Sequence, residues 1–277
     1  MPETGPTRSI EFESALRSSP AAVWHALTAA DEIARWLAPE AKGGHALGEK
    51  LTMSWGPGVE WHTTVTGWEP EQRVQWIDDP EAHRAAQLGR AGSAPQLAID
   101  WHLVARGGGT ALTMVHSGFG SSREWDERYD ATEAGWRYFL FNLRHYLERH
   151  AGTPRRIVSA RRAARERREE TWNRLFGPTG LGLDRETSSD LWSGALVTIR
   201  IGDSSPMLAI RHASPPTHAW GVIRDLNDAL LYVELEPGKE RYHCGIWLST
   251  YGLDDQRVNA LQRGVDSLAD RVFGPEV

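Results

Sequence analysis

The chain has 277 residues, of which 40% are hydrophobic and 25% charged, and its formal net charge is −6 at pH 7. This length predicts two domains, and the acidic balance excludes a general electrostatic attraction to nucleic acid or anionic membranes. The one cysteine, Cys244, excludes a disulfide framework and favours a cytoplasmic setting. The polar first residues lack the apolar core of a signal peptide, and no apolar run approaches the roughly 18 residues of a membrane helix.

The first half of the chain predicts a strand, two helices, a series of strands and a long closing helix. Alternating apolar side chains indicate a strand at 8–17, and Ser19-Pro20 marks the start of a helix at 20–29. A short second helix ends before Pro39. An apolar stripe at spacings of three and four predicts the closing helix at 124–149. Further strands are predicted at 50–55, 59–68, 72–77, 96–105 and 110–117, with a loop at 78–95.

The second half repeats this order in a shorter form. It predicts a strand at 156–162, a helix at 164–176, a glycine-rich loop to about residue 190 and a final helix at 254–273. Strands between them are predicted at 194–201, 206–212, 217–224, 228–236 and 241–249. Two similar halves indicate a duplication, with domains at 1–151 and 155–277. A sheet followed by a closing helix forms a cup, which is a shape that holds ligands.

Three motifs of the first half resemble one known family. They are SPAAVWHALT (19–28) with IARWL (33–37), GTALTMVHSGF (109–119) and GWRYFLFNLRHYL (135–147). Together they resemble the Hsp90 ATPase activator homologue (AHSA1-like) group of the START/Bet v 1-like, or SRPBCC, superfamily. The second half resembles this group only through ETWNRL (170–175) and its last helix, as a degenerate second copy.

The resemblance implies an α+β fold of two tandem helix-grip units. In each unit a curved antiparallel sheet surrounds a long C-terminal helix, and a cavity opens between sheet and helix. Members of the superfamily include carriers of lipids and hormones, aromatic polyketide cyclases and proteins that stimulate a chaperone ATPase. Because catalytic residues are not shared across these members, the resemblance implies a cavity but no mechanism.

The predicted ligand-binding residues are the large side chains that alternation and helical spacing turn toward this cavity. Flat tryptophan side chains suit an aromatic or polycyclic ligand, although plain core packing is the alternative for each of them. The set comprises Trp36, Trp55, Trp61, Trp76, Ile99, Trp101, Met114, Trp136, Phe139 and Leu140.

One ionisable side chain ends an apolar row of a predicted strand. Leu112, Met114 and His116 share a face, and histidine is the most frequent general base in enzymes. With Tyr129 or Glu133 of the closing helix as a partner, His116 forms a candidate catalytic pair for removing a proton from an activated carbon. The alternative is that His116 only caps its strand or bonds to a loop.

Three classes of function follow. The first is the binding of a hydrophobic, aromatic or lipid-like small molecule, and the second is a cofactor-free cyclase, aromatase or lyase. The third is a co-chaperone-like module that binds protein. Whether the chain is an enzyme, and whether it is a monomer with an intramolecular pseudo-dimer or a homodimer, stays open.

Cofactors, metals and nucleic acid are not expected. The sequence contains no phosphate-binding loop, dinucleotide fingerprint, HExxH or paired CxxC. The acidic side chains Asp126, Asp130 and Glu133 are better explained as a solvated helix face than as a metal site. The arginine-rich segment 155–168 is better explained as a solvated linker and helix face than as a nucleic-acid interface.

Overall fold

The computed structural model describes residues 7–56, 58–79, 96–164, 166–184, 192–236 and 242–274. The chain divides into two units, Met1–Gly152 and Thr153–Val277. From residue 80 onward, the predicted loop at 78–95 lies outside the described residues. So do residue 165 of the helix predicted at 164–176, residues 185–190 of the glycine-rich loop and the first residue of the strand predicted at 241–249. No helix in the described ranges is both long and apolar enough to cross a membrane.

The first unit is an antiparallel sheet closed by a long helix. In sheet order its seven described strands are β1-β7-β6-β5-β4-β3-β2. The strands are β1 (Thr7–Leu16), β2 (Glu40–Gly43), β3 (Lys50–Ser54), β4 (Glu60–Glu69), β5 (Arg73–Asp78), β6 (Ala98–Arg106) and β7 (Gly109–Gly120). The helices are α1 (Pro20–Thr28), α2 (Ala30–Ile33) and α3 (Asp126–His145), with a 3₁₀ turn before α3 (Arg123–Trp125) and a π turn after it (Tyr146–His150).

The second unit follows the same plan with six described strands in the order β8-β13-β12-β11-β10-β9. Its last helix packs on β8 and β13. The strands are β8 (Arg155–Ala163), β9 (Leu196–Thr198), β10 (Met207–Ser214), β11 (His218–Ile223), β12 (Ala229–Glu236) and β13 (His243–Tyr251). The helices are α4 (Arg168–Phe176) and α5 (Asp255–Phe273), with a 3₁₀ turn at Arg224–Leu226. The predicted fold class, α+β with tandem helix-grip units, is confirmed.

Local sequence signals explain where the helices begin. The Ser19 hydroxyl accepts a hydrogen bond from the amide of Ala22, and Pro20 fills the first helical position of α1. The Asp254 carboxylate accepts from the amide of Arg257 at the start of α5. Strand β2 was not predicted, because its four residues show no apolar alternation and lie at the sheet edge.

A buried polar cluster holds α2 against the turn that follows α3. The Tyr146 hydroxyl donates to Glu32 Oε2 at 2.6 Å, and Arg35 Nη1 donates to Glu32 Oε1 at 2.7 Å. The amide of Gly152 in turn donates to the Tyr146 oxygen at 3.0 Å. Because Glu32 is buried, its carboxylate depends on these two donors for the hydrogen bonds that water would otherwise supply.

We expect Tyr146→Phe to lower the free energy of unfolding by about 1–3 kcal/mol, since it removes a hydrogen bond to a buried charged group. Urea denaturation of the full chain measures this loss. Tyr129→Phe is the matched control, because the Tyr129 hydroxyl donates only to the exposed carbonyl of Ser9. An equal loss in both variants would contradict the importance assigned to the cluster.

Candidate functional site

The inward rows of neighbouring strands are apolar except at one end. Side chains of β5, β6 and β7 alternate between buried and more exposed positions, as the two-residue period of a strand requires. Two of the rows finish in a buried ionisable side chain, His116 on β7 and Asp78 on β5. The buried rows are Val74, Trp76 and Asp78, then Ile99, Trp101 and Leu103, then Leu112, Met114 and His116.

His116 is 4% exposed and is bonded to the closing helix. The indole Nε1–H of Trp136 on α3 donates to His116 Nδ1 at 2.9 Å. Since an indole nitrogen only donates, Nδ1 must be the acceptor, and the ring proton of a neutral imidazole then lies on Nε2. Burial lowers the pKa of His116 to about 3, and the positive charge of Arg128 acts in the same direction. The imidazole is therefore neutral at pH 7.

The Nε2–H group of His116 is an unsatisfied donor as far as the described residues show. Nε2 is buried and has no hydrogen-bond partner within the described part of the chain. Such a group costs about 1–3 kcal/mol of stability. A second unpaired buried donor, Nε1 of Trp101, belongs to the same aromatic cluster, with ring centroids of Trp101 and Trp136 5.5 Å apart. This part of the interior can therefore donate hydrogen bonds to an acceptor brought by a ligand.

Asp78 is the second ionisable group at this end of the sheet. Its Oδ1 accepts a hydrogen bond from the Trp61 indole at 2.7 Å. Burial raises the pKa of Asp78, whereas the Trp61 bond and the charge of Arg128 oppose that rise. Arg128 is an exposed residue as a whole, but partial burial of its guanidinium group lowers its pKa. The positive charge of Arg128 thus lowers the pKa of both His116 and Asp78.

Aromatic rings connect His116 to the more exposed part of the unit. The Trp61 ring lies 6.3 Å from His116 and 6.2 Å from Trp136, measured between centroids. The Phe139 ring lies 6.0 Å from Trp136 and 6.1 Å from Trp55. Because Trp55, Trp61 and Phe139 are only partly buried, these rings form a continuous aromatic wall that reaches solvent.

The other predicted ligand-binding residues lie deeper. The indole of Trp36 donates to the carbonyl of Ala26, and both Trp36 and Trp76 pack edge-on against Trp101. Leu140, on α3, is also buried. These side chains form a packed core beneath the aromatic wall, and their contact with a ligand stays a prediction. The most deeply buried, each at most 1% exposed, are Trp36, Trp76, Ile99, Trp101 and Met114.

The structure does not bring Tyr129 or Glu133 into a hydrogen bond with His116. The Tyr129 hydroxyl donates to the Ser9 carbonyl of β1 at 2.9 Å. Glu133 accepts from Arg137, whose guanidinium covers the Phe12 ring of β1. The predicted His–Glu or His–Tyr pair therefore does not form between the residues described.

Helical geometry explains this difference. At 3.6 residues per turn, Tyr129 and Glu133 point about 20° and 60° to one side of Trp136, which is the side that faces β1. Phe139 and Arg128 point about 60° and 80° to the other side, toward Trp55 and Asp78.

Sequence reasoning missed Asp78 and Arg128. Asp78 continues the alternation of Val74 and Trp76 by one further step, but the predicted strand ended at residue 77. Arg128 lies within the predicted closing helix, one turn before Thr132, which is one of the residues that form the predicted stripe of that helix. Both signals were in the sequence, and extending each pattern by one step would have included them. No three His, Cys, Asp or Glu side chains converge to hold a metal in the part of the chain that is described.

Comparison with known proteins finds one family model that is similar to the first unit. Residues 17–148 match the family model of the Activator of Hsp90 ATPase homolog 1-like protein (AHSA1). No curated protein matches the chain.

Three solved structures illustrate the similarity. Protein MLL2253 from Mesorhizobium loti is 23% identical, with a TM-score of 0.44, over 52% of this chain and 98% of its own. The Aha1 dimer from Colwellia psychrerythraea is 21% identical, with a TM-score of 0.43, over 52% of this chain and 99% of its own. DynU16, a protein of the dynemicin biosynthetic locus, is 17% identical, with a TM-score of 0.43, over 95% of this chain and 98% of its own.

The lowered pKa of His116 predicts a specific loss of stability in acid. Below about pH 6.5 the histidine of the unfolded chain binds a proton that the folded protein excludes down to about pH 3. The free energy of unfolding therefore falls as the pH falls through this window, by about 2 kcal/mol between pH 7 and pH 5.

Urea denaturation at the two pH values tests this. His116→Phe should remove that part of the pH dependence, whereas His102→Phe, at an exposed position of β6, should retain it. An unchanged dependence in His116→Phe would show that His116 titrates normally.

Proposed function

We propose that the first unit, which is AHSA1-like, binds a small aromatic or lipid-like molecule that carries a hydrogen-bond acceptor, with His116 as the donor to that acceptor. The observation that carries this proposal is the buried Nε2–H of His116, which has no partner among the described residues and lies at the inner end of an aromatic wall. A ligand oxygen that accepts this bond removes the cost of the unsatisfied donor, and that gain favours the complex.

The aromatic wall supplies the apolar part of the binding energy. Trp61, Trp136 and Phe139 present ring faces and edges at mutual angles, which suits a planar ligand inserted between them. The partly exposed Trp55 extends this surface toward solvent. The positive charge of Arg128 close to His116 favours an acceptor with negative character, such as a carbonyl or phenolic oxygen.

The second unit supports this assignment of the site by contrast. In β13, which precedes the last helix as β7 does, the inward row is Cys244, Ile246 and Leu248, all in the apolar core with α5. This row contains a thiol at Cys244 and continues to the buried hydroxyl of Thr250, but it has no histidine or carboxylate such as His116 of β7. We therefore assign the ligand site to the first unit and a supporting role to the second.

A second candidate function is proton transfer next to a carbonyl group, as in a cofactor-free cyclase or lyase. The raised pKa of Asp78 favours it, because a carboxylate in a buried site is a stronger base than one in water. Asp78 would take the proton from carbon, and the His116 Nε2–H would donate to the oxygen of the resulting enolate. His116 would then stabilise charge instead of acting as the base, since its Nδ1 lone pair is occupied by Trp136.

A matched pair of planar probes tests the binding proposal. We expect 9-fluorenone, which has a carbonyl acceptor, to bind about tenfold more tightly than fluorene, which has none. His116→Phe should abolish the difference by weakening fluorenone alone, and His102→Phe should preserve it. Fluorescence quenching titration measures both affinities, and circular dichroism checks that each variant is folded. Retention of the full preference for fluorenone in His116→Phe would refute the assignment of the donor.

Deuterium exchange distinguishes the enzyme from the carrier. Native mass spectrometry and denaturing extraction identify a molecule that co-purifies with the protein. When this molecule is returned to the protein in D₂O, an enzyme that removes a carbon-bound proton should raise its mass by one unit per exchanged hydrogen. Asp78→Asn should abolish this exchange while leaving fluorenone binding within about threefold. Absence of exchange with the native protein would leave binding as the function.

A further inference from the structure

A cavity of about 430 Å³ lies at the other end of the first unit from His116. It is formed where β1 ends, where β6 turns into β7 and where α3 reaches its last turns. The hairpin glycine Gly109 lines it, and His116 lies seven residues further along β7, a distance of roughly 20 Å at the rise of a strand. The cavity is therefore separate from the proposed ligand site.

The charged side chains of this cavity are mostly cationic. Arg17, Arg106 and Arg144 line it together with one acidic residue, Glu148. Glu148 is already engaged, because it accepts a hydrogen bond from the amide of Arg17 at 3.2 Å and its other oxygen lies 4.0 Å from the Arg17 guanidinium. The side chains sum to a local charge of +2 in a chain whose net charge is −6.

Two of these arginines have no anionic partner within the described ranges. Arg144 contacts the ring of Phe141, with its guanidinium carbon 5.7 Å from the ring centroid, and it makes no ion pair there. Arg106 is exposed and has no ion pair to any residue described. Arginine presents its donors in a rigid fork that matches carboxylate and phosphate oxygens, and these forks are available to a ligand.

The hairpin backbone adds neutral donors to the same cavity. Gly107 and Gly108 have φ values of +61° and +81°, as a two-residue hairpin turn requires. A Cβ at either position would meet nothing within 4 Å, so the backbone here is open to an approaching group. Neither amide donates a hydrogen bond to an acceptor among the residues described.

From this combination we propose that the cavity binds the phosphoryl group of a phosphate monoester. Such a group carries a charge of about −1.5 to −2 at pH 7, which complements the local charge of +2. Its three terminal oxygens match the forks of Arg106 and Arg144 and the amides of the glycine turn. The volume lies within the range of small-molecule sites, so it accommodates an organic substituent beyond the phosphate. A soluble ester and a phospholipid headgroup share this chemistry.

Phenyl phosphate is the probe for the site, and phenol is its uncharged counterpart. Isothermal titration calorimetry of the full chain should show binding of phenyl phosphate that weakens between 50 and 200 mM salt, and none of phenol. Arg106→Gln and Arg144→Gln should each weaken binding about tenfold. Arg123→Gln, which removes an exposed arginine before α3, changes the net charge equally and should leave the affinity unchanged.

Each outcome decides the proposal. Equal weakening by Arg123→Gln would show a general charge effect and overturn the site, as would undetectable binding of phenyl phosphate together with no vesicle binding. Sedimentation with phosphatidylcholine vesicles containing phosphatidic acid, compared with phosphatidylcholine alone, assigns the ligand to a lipid headgroup if only the former bind. Fluorenone affinity should be unchanged in Arg106→Gln and Arg144→Gln, so failure of this site and failure of the site at His116 are distinguishable.

Discussion

The hydrogen bond between the Trp136 indole and His116 Nδ1 joins the closing helix of the first unit to its sheet, and it also decides the chemistry of the interior. It fixes which side of α3 faces β7, because Trp136 can reach Nδ1 from only one rotation of the helix. It also fixes the imidazole proton on Nε2, because the indole can only donate. This one hydrogen bond therefore determines both the rotation of α3 on the sheet and the tautomer of His116.

The rotation of α3 has consequences on both of its sides. On the β1 side, Tyr129 and Arg137 cover the first strand through a carbonyl hydrogen bond and a cation–π contact. On the other side, Phe139 and Arg128 extend over the region of Trp55 and Asp78. The helix thus seals one edge of the sheet with polar and cationic groups and leaves the opposite edge lined by aromatic rings.

Much of this architecture is predictable from periodicity. Alternation correctly turned Met114 and His116 inward, and the apolar stripe located the closing helix, because the two periods of 2 and 3.6 residues depend only on backbone geometry. The short edge strand β2 had no such pattern. How deeply each tryptophan is buried could not be predicted from the sequence either. Trp76 and Trp61 both belong to strands that face α3, but Trp76 is buried and Trp61 is only partly buried.

The tautomer of His116 could not be predicted from the sequence for a different reason. Strand alternation identifies a buried histidine, but the chemistry of an imidazole depends on which nitrogen is bonded and to what. The partner lies 20 residues away on another element, and only packing shows that it is a donor. If residue 136 were a carboxylate, it would accept a hydrogen bond from Nδ1–H, and the lone pair of Nε2 would then be free to act as a general base.

Comparing the same strand position in the two units shows what the buried polar side chains of the first unit cost. The row of β13 lies in the apolar core of its unit with Cys244, Ile246 and Leu248 and contains no histidine. A buried histidine with an unpaired donor destabilises the fold by comparison. The Nδ1 atom of His116 is used in packing, because it accepts the bond from the closing helix, but packing provides no acceptor for its Nε2–H among the residues described. The same reasoning applies to Asp78, whose burial raises its pKa and opposes its ionisation. Burial of these two side chains therefore costs stability, and the ligand acceptor proposed above would offset that cost at Nε2 of His116.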